Sequence, residues 1–257
     1  MEWILLFVAG VLGGVLNSVA GGGSFITFPS LLFVGVPPII ANATNTFAAC
    51  AGYLSGAYGF RKDIAQHPDV IAYTVVWSLI GGVIGAYLLL NISETLFLEA
   101  IPWLLLFATL LFIFGPKVSG MVTKVAQRAS ISSRWGSLVL VLSLVFVSAY
   151  GGFFNAGLGV IVLSYLVLAG YKDINQMNGL KLLVSSSVSL VAIAVFVLEG
   201  AIDWNRGVVV MAGTLLGGYV AANVSRNIKQ QHVRAFIAFS SISMTIYFFV
   251  DVYFLAR

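Results

Sequence analysis

The sequence contains 257 residues, of which 60% are hydrophobic and only 9% are charged, and its mean hydropathy is +1.03. Soluble proteins carry about 25% charged residues, so this composition excludes an ordinary soluble enzyme and predicts an integral membrane protein. The net charge of +4 does not indicate nucleic-acid binding, because the basic residues are scattered through short connections between apolar segments. The single cysteine, Cys50, excludes an internal disulfide or a dithiol relay.

The apolar segments form two sets with the same order, which is one long, one short and three long segments. They cover residues 3–20, 24–34, 38–60, 70–90 and 96–114 in the first set and 136–155, 160–169, 174–198, 207–222 and 235–254 in the second. A spanning helix needs about 20 apolar residues, so the short segments cannot cross a bilayer alone. We therefore predict an all-α polytopic membrane protein with transmembrane repeats at 1–115 and 136–257, joined by a polar linker at 116–135.

Glycine residues interrupt each half of the chain after its first helix. The run Gly21–Gly23 breaks the first half, and the proline pair at 37–38 ends the short segment that follows. Gly157 and Gly159 occupy the matching place in the second half. Each half is therefore expected to contain a glycine-broken helix with a short half-helix, followed by three spanning helices.

The repeat is also visible in individual residues. Gly13-Gly14-x-x-Asn17 matches Gly151-Gly152-x-x-Asn155, and Asn42-Ala43-Thr44-Asn45 corresponds in position to Asn178-Gly179-Leu180-Lys181. Weak internal similarity, with interrupted segments at corresponding places, is typical of secondary transporters and points to their binding site.

The charges of the connecting loops predict how the two halves are oriented. If each short segment folds back on the helix before it, one face of the membrane receives ten basic residues and the other receives two. The ten are Arg61, Lys62, Lys117, Lys124, Arg128, Arg134, Lys172, Arg226, Lys229 and Arg234. If each short segment instead continues into the following helix, eight basic residues lie on one side and three or four on the other.

The positive-inside rule therefore favours the hairpin arrangement. This arrangement predicts two inverted halves, a cytoplasmic linker and two extracytoplasmic termini in a multi-pass membrane protein. Whether the first helix of each half crosses the bilayer fully or dips and returns is left open.

Small residues recur four positions apart in four of the predicted helices. The pairs are Gly10 and Gly14, Gly52 and Gly56, Gly81 and Gly85, and Gly213 and Gly217. This spacing lets two helices approach closely. We interpret it as packing within one bundle, while a homodimer is left open.

Residue constellations typical of soluble enzymes are absent from the sequence. The two histidines, His67 and His232, lie in loops without metal-ligand spacing, and no Walker lysine follows the Gly21–Gly23 run. No carboxylate pair lies within a predicted span. We therefore predict neither an enzyme nor a metal or cofactor site.

Lys181 falls within a predicted span, seven residues after its start. Ionisable residues at membrane depth are costly and usually face a bundle interior or a cavity, so Lys181 is a candidate cation for an anionic substrate. The alternative is a side chain that reaches the inner membrane surface. The repeat-related counterpart of Lys181 is Asn45, so the two halves would present a pair of hydrogen-bond donors.

The glycine breaks indicate a second element of an anion site. Ser24 is predicted to cap a short helix that begins at Phe25, whose free N–H groups and positive dipole end would point into the membrane. The segment from Gly157 to Gly159 would present a similar helix start in the second half. The alternative is a kink that serves helix packing alone, for which three adjacent glycines are more than is required.

Four asparagines, Asn17, Asn42, Asn155 and Asn178, lie at pseudo-symmetric positions in apolar surroundings. An amide without hydrogen-bond partners is costly in such surroundings. These residues therefore either brace the unwound backbone or contact the ligand, and the sequence leaves both roles open.

These motifs resemble those of the TauE/SafE family of membrane transporters, the sulfite exporter type. The resemblance covers essentially the whole chain, through GGxxNxxxGGGSFITFPxL and NATN in the first half and GGFFNAGLG and NGLK in the second. It implies a multi-pass exporter of small sulfur-containing anions, such as sulfite or organosulfonates, across the cytoplasmic membrane. The family motifs fall on residues 21–24, 42–45, 155–159 and 178–181.

The sequence thus predicts a secondary transporter whose anion binds between the glycine breaks while the inverted halves rock around it. The predicted substrate-binding residues are Gly21, Gly22, Gly23, Ser24, Asn45, Gly157, Gly159 and Lys181, supported by Asn17, Asn42, Asn155 and Asn178. The predicted partners are a small anion and the lipid bilayer, with no nucleic acid. The alternative is an anion channel, or a transporter of another small anion such as a carboxylate.

Overall fold

A computed structural model of the chain describes residues 1–65, 68–128, 134–224 and 230–255. Over these residues the chain is built from helices with short connections and contains no β-strand, which confirms the all-α fold class. The helices of the first half are α1 (Glu2–Ala20), α2 (Ser24–Phe33), α3 (Pro38–Gly59), α4 (Arg61–Ile64), α5 (Pro68–Asn91) and α6 (Glu94–Arg128). Those of the second half are α7 (Arg134–Phe153), α8 (Leu158–Leu168), α9 (Ile174–Leu198), α10 (Trp204–Val224) and α11 (Gln230–Val250), which continues as a π-helical turn at Asp251–Leu255.

Two features of the first half were not expected from the hydropathy pattern. A single turn of helix, α4, follows α3, and α6 continues for 35 residues to Arg128. Most of the linker at 116–135 is therefore helical, because lysine, glutamine and valine are accommodated in a helix even where the chain becomes polar. The domain boundaries at 115 and 136 stay a prediction.

Four described segments are both long and apolar enough to cross a membrane, namely Ile71–Asn91, Glu94–Phe114, Gln176–Leu198 and Ala235–Leu255. They belong to α5, α6, α9 and α11, four of the six helices expected to span. The other two, α3 and α10, contain 22 and 21 residues, which corresponds to roughly 30 Å of helix. The first half of α3 is less apolar because it carries Asn42, Thr44 and Asn45, all of which are buried in the protein.

Glycines in the left-handed region produce the breaks. Gly21 ends α1 with a φ of 78°, and Gly157 precedes α8 with the same φ. After the two short helices, Gly35 and Gly170 have φ values of 82° and 92°. Residues that carry a side chain rarely adopt these positive φ values. Glycines at corresponding places therefore give α2 and α8 similar starts and ends.

Each short helix folds back on the helix before it. A Cβ atom placed on Gly13 of α1 would lie 2.5 Å from the Thr27 methyl group of α2. In the second half, a Cβ on Gly151 of α7 would lie 2.6 Å from the Leu158 side chain of α8. Both contacts agree with the predicted hairpins rather than with short segments that continue into the next helix.

The first turns of several helices lie together at one end of the bundle, which supports the same arrangement. Arg206, in the first turn of α10, forms salt bridges with Glu2 at the start of α1 and with Asp203. The N–H of Asp203 donates a hydrogen bond to Thr44 Oγ1 on α3 at 3.0 Å. The start of α1 and the first turns of α3 therefore lie at the same end of the bundle.

The start of α6 lies at this end as well. The N–H of Ile39, at the start of α3, donates a hydrogen bond to the Glu94 carboxylate at 3.3 Å. We call this end of the bundle the acidic end, after Glu2, Glu94 and Asp203. Because α1 begins at the acidic end and α2 leads back to it, the two helices form a hairpin within the bundle.

Glycines mediate the closest contact between α1 and α10. A Cβ atom on Gly14 would lie 2.3 Å from the carbonyl oxygen of Thr214, and a Cβ on Gly217 would lie 2.0 Å from that of Val11. Distances under 3 Å to backbone atoms leave no room for a side chain. The small residues at these positions thus serve packing inside the bundle, as the sequence predicted.

The helices α5 and α7 pack in the same manner. A Cβ atom on Gly85 would lie 2.0 Å from the carbonyl oxygen of Ala149, and a Cβ on Gly81 would lie 2.5 Å from that of Val145. The predicted repeat pairs α1 with α7 and α5 with α10, so the two glycine interfaces correspond to each other. The inverted relation between the halves stays a prediction, which these matched contacts support.

The half-helix α2 is enclosed by protein. Phe25, Phe28 and Leu31 are fully buried, and the Phe28 ring packs edge-on against Phe154 with 5.5 Å between the ring centres. Interrupted backbone is tolerated at membrane depth only where it is buried in protein or lines a cavity. The core therefore forms around the two breaks, where the candidate site lies.

Candidate functional site

The two glycine breaks meet at Gly21 and Gly159. A Cβ atom placed on either glycine would lie 3.8 Å from the Cα atom of the other. Gly21 ends α1 and Gly159 lies in the first turn of α8. The end of the first helix of one half therefore touches the short helix of the other half.

Lys181 of α9 lies against the same glycine. A Cβ atom on Gly159 would be 3.4 Å from Lys181 Cδ and 3.8 Å from Lys181 Cγ. The lysine is only 6% exposed, so its side chain is buried rather than extended to the surface. Three predicted site residues, Gly21, Gly159 and Lys181, are thus neighbours.

The positive charge of the Lys181 ammonium group is poorly compensated by the residues that the structure describes around it. Its Nζ donates a hydrogen bond to Asn178 Oδ1 at 3.3 Å. Both salt bridges found among the described residues belong to Arg206, so Lys181 has no carboxylate partner in that part of the chain. A buried cation without an opposite charge is costly, and an anion beside Gly159 would compensate it.

Asn45 is engaged within the first break. Its Nδ2 donates a hydrogen bond to Ser24 Oγ at 3.2 Å, and its Oδ1 accepts one from Thr27 Oγ1. All three side chains are buried. The Asn45 amide therefore holds the first turn of α2 in place, a role that the sequence did not indicate.

The prediction that Ser24 caps α2 is wrong. The helix begins at Ser24 itself, Gly23 occupies the capping position with helical dihedral angles, and no side chain caps the helix. Gly23 is accommodated there because a Cβ atom would lie 2.3 Å from the carbonyl oxygen of Gly13, and the Ser24 hydroxyl is then available to accept from Asn45.

The remaining predicted glycines are close-packed. A Cβ atom on Gly22 would lie 2.6 Å from Ile237, one on Gly23 would lie 2.3 Å from the carbonyl oxygen of Gly13, and one on Gly157 would lie 2.8 Å from Ala108. The N–H of Gly21 is taken by the carbonyl oxygens of residues 16 and 17. These glycines shape the break, while Gly159 faces the lysine.

Two of the four asparagines at pseudo-symmetric positions act on the second break. Asn42 Nδ2 of α3 donates a hydrogen bond at 2.9 Å to the carbonyl oxygen of Phe153, at the end of α7. Asn155 accepts a hydrogen bond from the Tyr53 hydroxyl at 2.6 Å and donates one to Ser189 Oγ at 3.3 Å. The sequence left open whether the asparagines brace the backbone or contact the ligand. Both of these asparagines have bracing contacts.

The other two asparagines lie beside the same network. Asn178 accepts the hydrogen bond from Lys181, and Asn17 Nδ2 lies against α3, 3.7 Å from the position of a Cβ atom on Gly52. Tyr53 and Ser189 were missed by the sequence analysis. The offset that relates Asn45 to Lys181 also relates Tyr53 to Ser189, but this spacing does not by itself single out a tyrosine and a serine in apolar helices.

Several known proteins are similar to this chain over most of its length. It is 32% identical over 242 residues to a probable membrane transporter protein of Haemophilus influenzae, covering 94% of this chain and 92% of the relative. It is 28% identical over 244 residues to the probable membrane transporter protein YfcA of Escherichia coli K12, covering 94% and 87%. It is 27% identical over 248 residues to the probable membrane transporter protein ORF9 of Sinorhizobium sp, covering 96% and 92%.

No solved structure matches the chain with significant similarity. The sequence model of the family described as Sulfite exporter TauE/SafE matches residues 6–248, which include both glycine breaks and Lys181. Together with the named relatives, this match identifies a membrane transporter. The chain therefore belongs to the sulfite exporter TauE/SafE family.

Proposed function

We propose that this transporter exports a small sulfur-containing anion, such as sulfite or a sulfonate, across the cytoplasmic membrane by alternating access. The observation that carries the proposal is Lys181, a buried cation with no described carboxylate partner beside the contact of Gly21 with Gly159. Transporter sites typically form where interrupted helices of two repeats meet near the middle of the bilayer. An anion at this point would neutralise the lysine.

The family description supports the substrate class, since it names a sulfite exporter. A sulfite or sulfonate group presents several oxygen atoms as hydrogen-bond acceptors, and an ammonium group has three donor hydrogens. One of the Lys181 donors reaches Asn178. The others are then available to the oxygen atoms of the substrate.

The proposed direction of transport follows from the membrane potential. A negative charge that leaves a cell with a negative interior gains about 2.3 kcal/mol per 100 mV. We propose that the acidic end of the bundle is extracytoplasmic, with both termini on that side, as the positive-inside rule predicts for the loop charges. Export of a monovalent anion would then need no hydrolysis of ATP.

The proposed mechanism is a carrier cycle. The 6% exposure of Lys181 supports it, because an open anion pore would leave a filter residue accessible to water. Each of the two glycine interfaces joins a helix of one half to a helix of the other, so in the proposed cycle α1 would move together with α10 and α5 together with α7. A channel remains the competing function, and flux that does not saturate with anion concentration would favour it.

The test is sulfite efflux from liposomes that contain the purified protein. Lys181→Met keeps the length of the side chain and removes its charge, and we expect efflux to fall at least about tenfold, as for loss of a charged hydrogen bond. The matched control is Lys172→Met, because Lys172 is an exposed lysine in the connection before α9. The control is expected to transport at the wild-type rate.

The variant is also expected to fold and to resist heat at least as well as the wild type, because it no longer buries an uncompensated charge. Wild-type efflux from a folded Lys181→Met protein would exclude Lys181 as the anion contact. A thermal-shift series with sulfite, sulfonates, sulfate, thiosulfate and small carboxylates addresses the substrate class. Stabilisation by carboxylates alone would overturn the assignment of a sulfur anion.

A further inference from the structure

The Tyr53 hydroxyl joins helices of both halves at the second break. It donates a hydrogen bond at 2.6 Å to Asn155 Oδ1, in the segment between α7 and α8. The same amide donates from Nδ2 to Ser189 Oγ of α9 at 3.3 Å. Tyr53, Asn155 and Ser189 are all buried, so the amide is held between α3 and α9.

Asn155 is connected in turn to the start of α8. Its carbonyl oxygen accepts a hydrogen bond from the N–H of Leu158 at 3.2 Å. The next residue, Gly159, touches both Gly21 and Lys181. The orientation of the Asn155 peptide therefore determines where the first turn of α8 lies relative to the lysine.

We propose that Tyr53 is a positioning residue for transport, whose hydroxyl orients Asn155 and thereby holds Gly159 in its place against Lys181. The proposal rests on the proposed function for its effect on transport. It deepens that function by adding a residue of the first half that controls the geometry of the site in the second half. The proposed effect of Tyr53 on Lys181 runs through Asn155 and Gly159.

The two halves carry different side chains at the position of Tyr53 and Ser189. Tyr53 and Ser189 occupy corresponding positions in the two repeats, yet both bind Asn155 of the second half. The long phenol of the first half reaches across to the second break, whereas Ser189 of the second half reaches the same amide from its own side.

The test uses Tyr53→Phe, which removes only the hydroxyl group. Loss of this hydrogen bond is expected to raise the KM for sulfite efflux about fivefold, because a smaller fraction of the protein keeps the site assembled. The maximal rate per folded protein is expected to stay within about twofold of the wild type. Tyr87→Phe is the matched control, since Tyr87 is a mostly exposed tyrosine of α5, and it is expected to leave KM unchanged.

A second readout requires no transport. Cys50 is the single cysteine of the chain and lies one turn before Tyr53 on α3, with an exposure of 4%. If Tyr53 ties α3 to the second break, Tyr53→Phe loosens this contact, and a maleimide in sulfite-free buffer should alkylate Cys50 several times faster. Tyr87→Phe should be alkylated at the wild-type rate.

Variants of the partners separate positioning from a general loss of stability. Asn155→Ala should raise KM at least as much as Tyr53→Phe, and the double variant should match Asn155→Ala, because Tyr53 acts through Asn155. Ser189→Ala removes the other bond to the amide and should give a smaller increase, which provides a test if Tyr53→Phe folds poorly. Unchanged KM and unchanged Cys50 alkylation in folded Tyr53→Phe, whatever its melting temperature, would overturn the proposal.

Failure of the proposed function would look different. If the wild-type protein moved no sulfite, the export of that anion would be refuted, while the rate of Cys50 alkylation would still decide whether Tyr53 holds the second break. If Lys181→Met transported normally but Tyr53→Phe changed both readouts, the lysine assignment would fail and the positioning role of Tyr53 would stand.

Discussion

Lys181 Cδ lies 3.4 Å from the position that a Cβ atom on Gly159 would occupy. In the first half, Asn45 holds the corresponding place on α3 and binds Ser24 in the first turn of α2. Both halves thus direct a side chain of the second long helix, α3 or α9, onto the start of the short one. In the first half two polar side chains satisfy each other, whereas in the second a glycine leaves the lysine without such a partner.

The size of residue 159 is therefore expected to control substrate affinity. Gly159→Ala places a methyl group at ordinary contact distance from Lys181 and Gly21, so the protein should fold with a free energy of unfolding within about 1 kcal/mol of the wild type. The methyl group occupies the space proposed for the anion, and KM for sulfite efflux should rise severalfold. Gly59→Ala is the control, because a Cβ there has no neighbour within 4 Å. An unchanged KM in Gly159→Ala would place the anion elsewhere.

Asn45 is expected to act on stability rather than on substrate affinity. Asn45→Ala removes the hydrogen bonds of this buried amide to the Ser24 and Thr27 hydroxyl groups, which should lower the free energy of unfolding by about 1–3 kcal/mol. Thermal unfolding in detergent measures this effect, and Asn91→Ala at an exposed position serves as the control. A large rise in KM with an unchanged melting temperature would show instead that Asn45 contacts the substrate.

The glycine interfaces are expected to tolerate no side chain. Gly85→Ala and Gly217→Ala would each place a Cβ atom 2.0 Å from a backbone carbonyl oxygen of the partner helix. Backbone cannot give way as a flexible side chain does, so each variant should lose about 2 kcal/mol or more of stability. Their melting temperatures should fall together, since the two interfaces correspond in the predicted repeat. Wild-type stability of either variant would contradict the packing of that helix pair.

The acidic end is expected to weaken at low pH. Burial raises the pKa of the Asp203 carboxyl group, but hydrogen bonds from Arg206 and from backbone N–H groups outweigh this and hold the pKa below its ordinary value. A lowered pKa in the folded state means that the stabilisation is present above the ordinary value near 4 and is lost as the pH falls through the folded pKa. The melting temperature of the wild type should approach that of Asp203→Asn as the pH falls below about 4. A difference between the two proteins that is independent of pH would contradict this assignment.

Much of the fold was accessible from the sequence because its signals are local. The alternation of long and short apolar segments predicted the helices to within a few residues, and the glycines at 21 and 157 marked both breaks. The distribution of loop charges predicted that the short helices fold back. The linker was the exception, because a polar composition predicts exposure to water and does not by itself end a helix, so α6 continues to Arg128.

The sequence alone determined a membrane protein and predicted two similar halves with a lysine at membrane depth, since composition, hydropathy and spacing are properties of the chain itself. Only the tertiary structure decided that Gly21 meets Gly159, that Lys181 lies beside them, and that Asn45 is already bound by its neighbours. These contacts join residues far apart in the sequence, and their distances depend on how closely the glycine interfaces let the helices approach. The same dependence kept Tyr53 hidden, because a tyrosine in an apolar helix gains a role only when packing brings an amide to its hydroxyl.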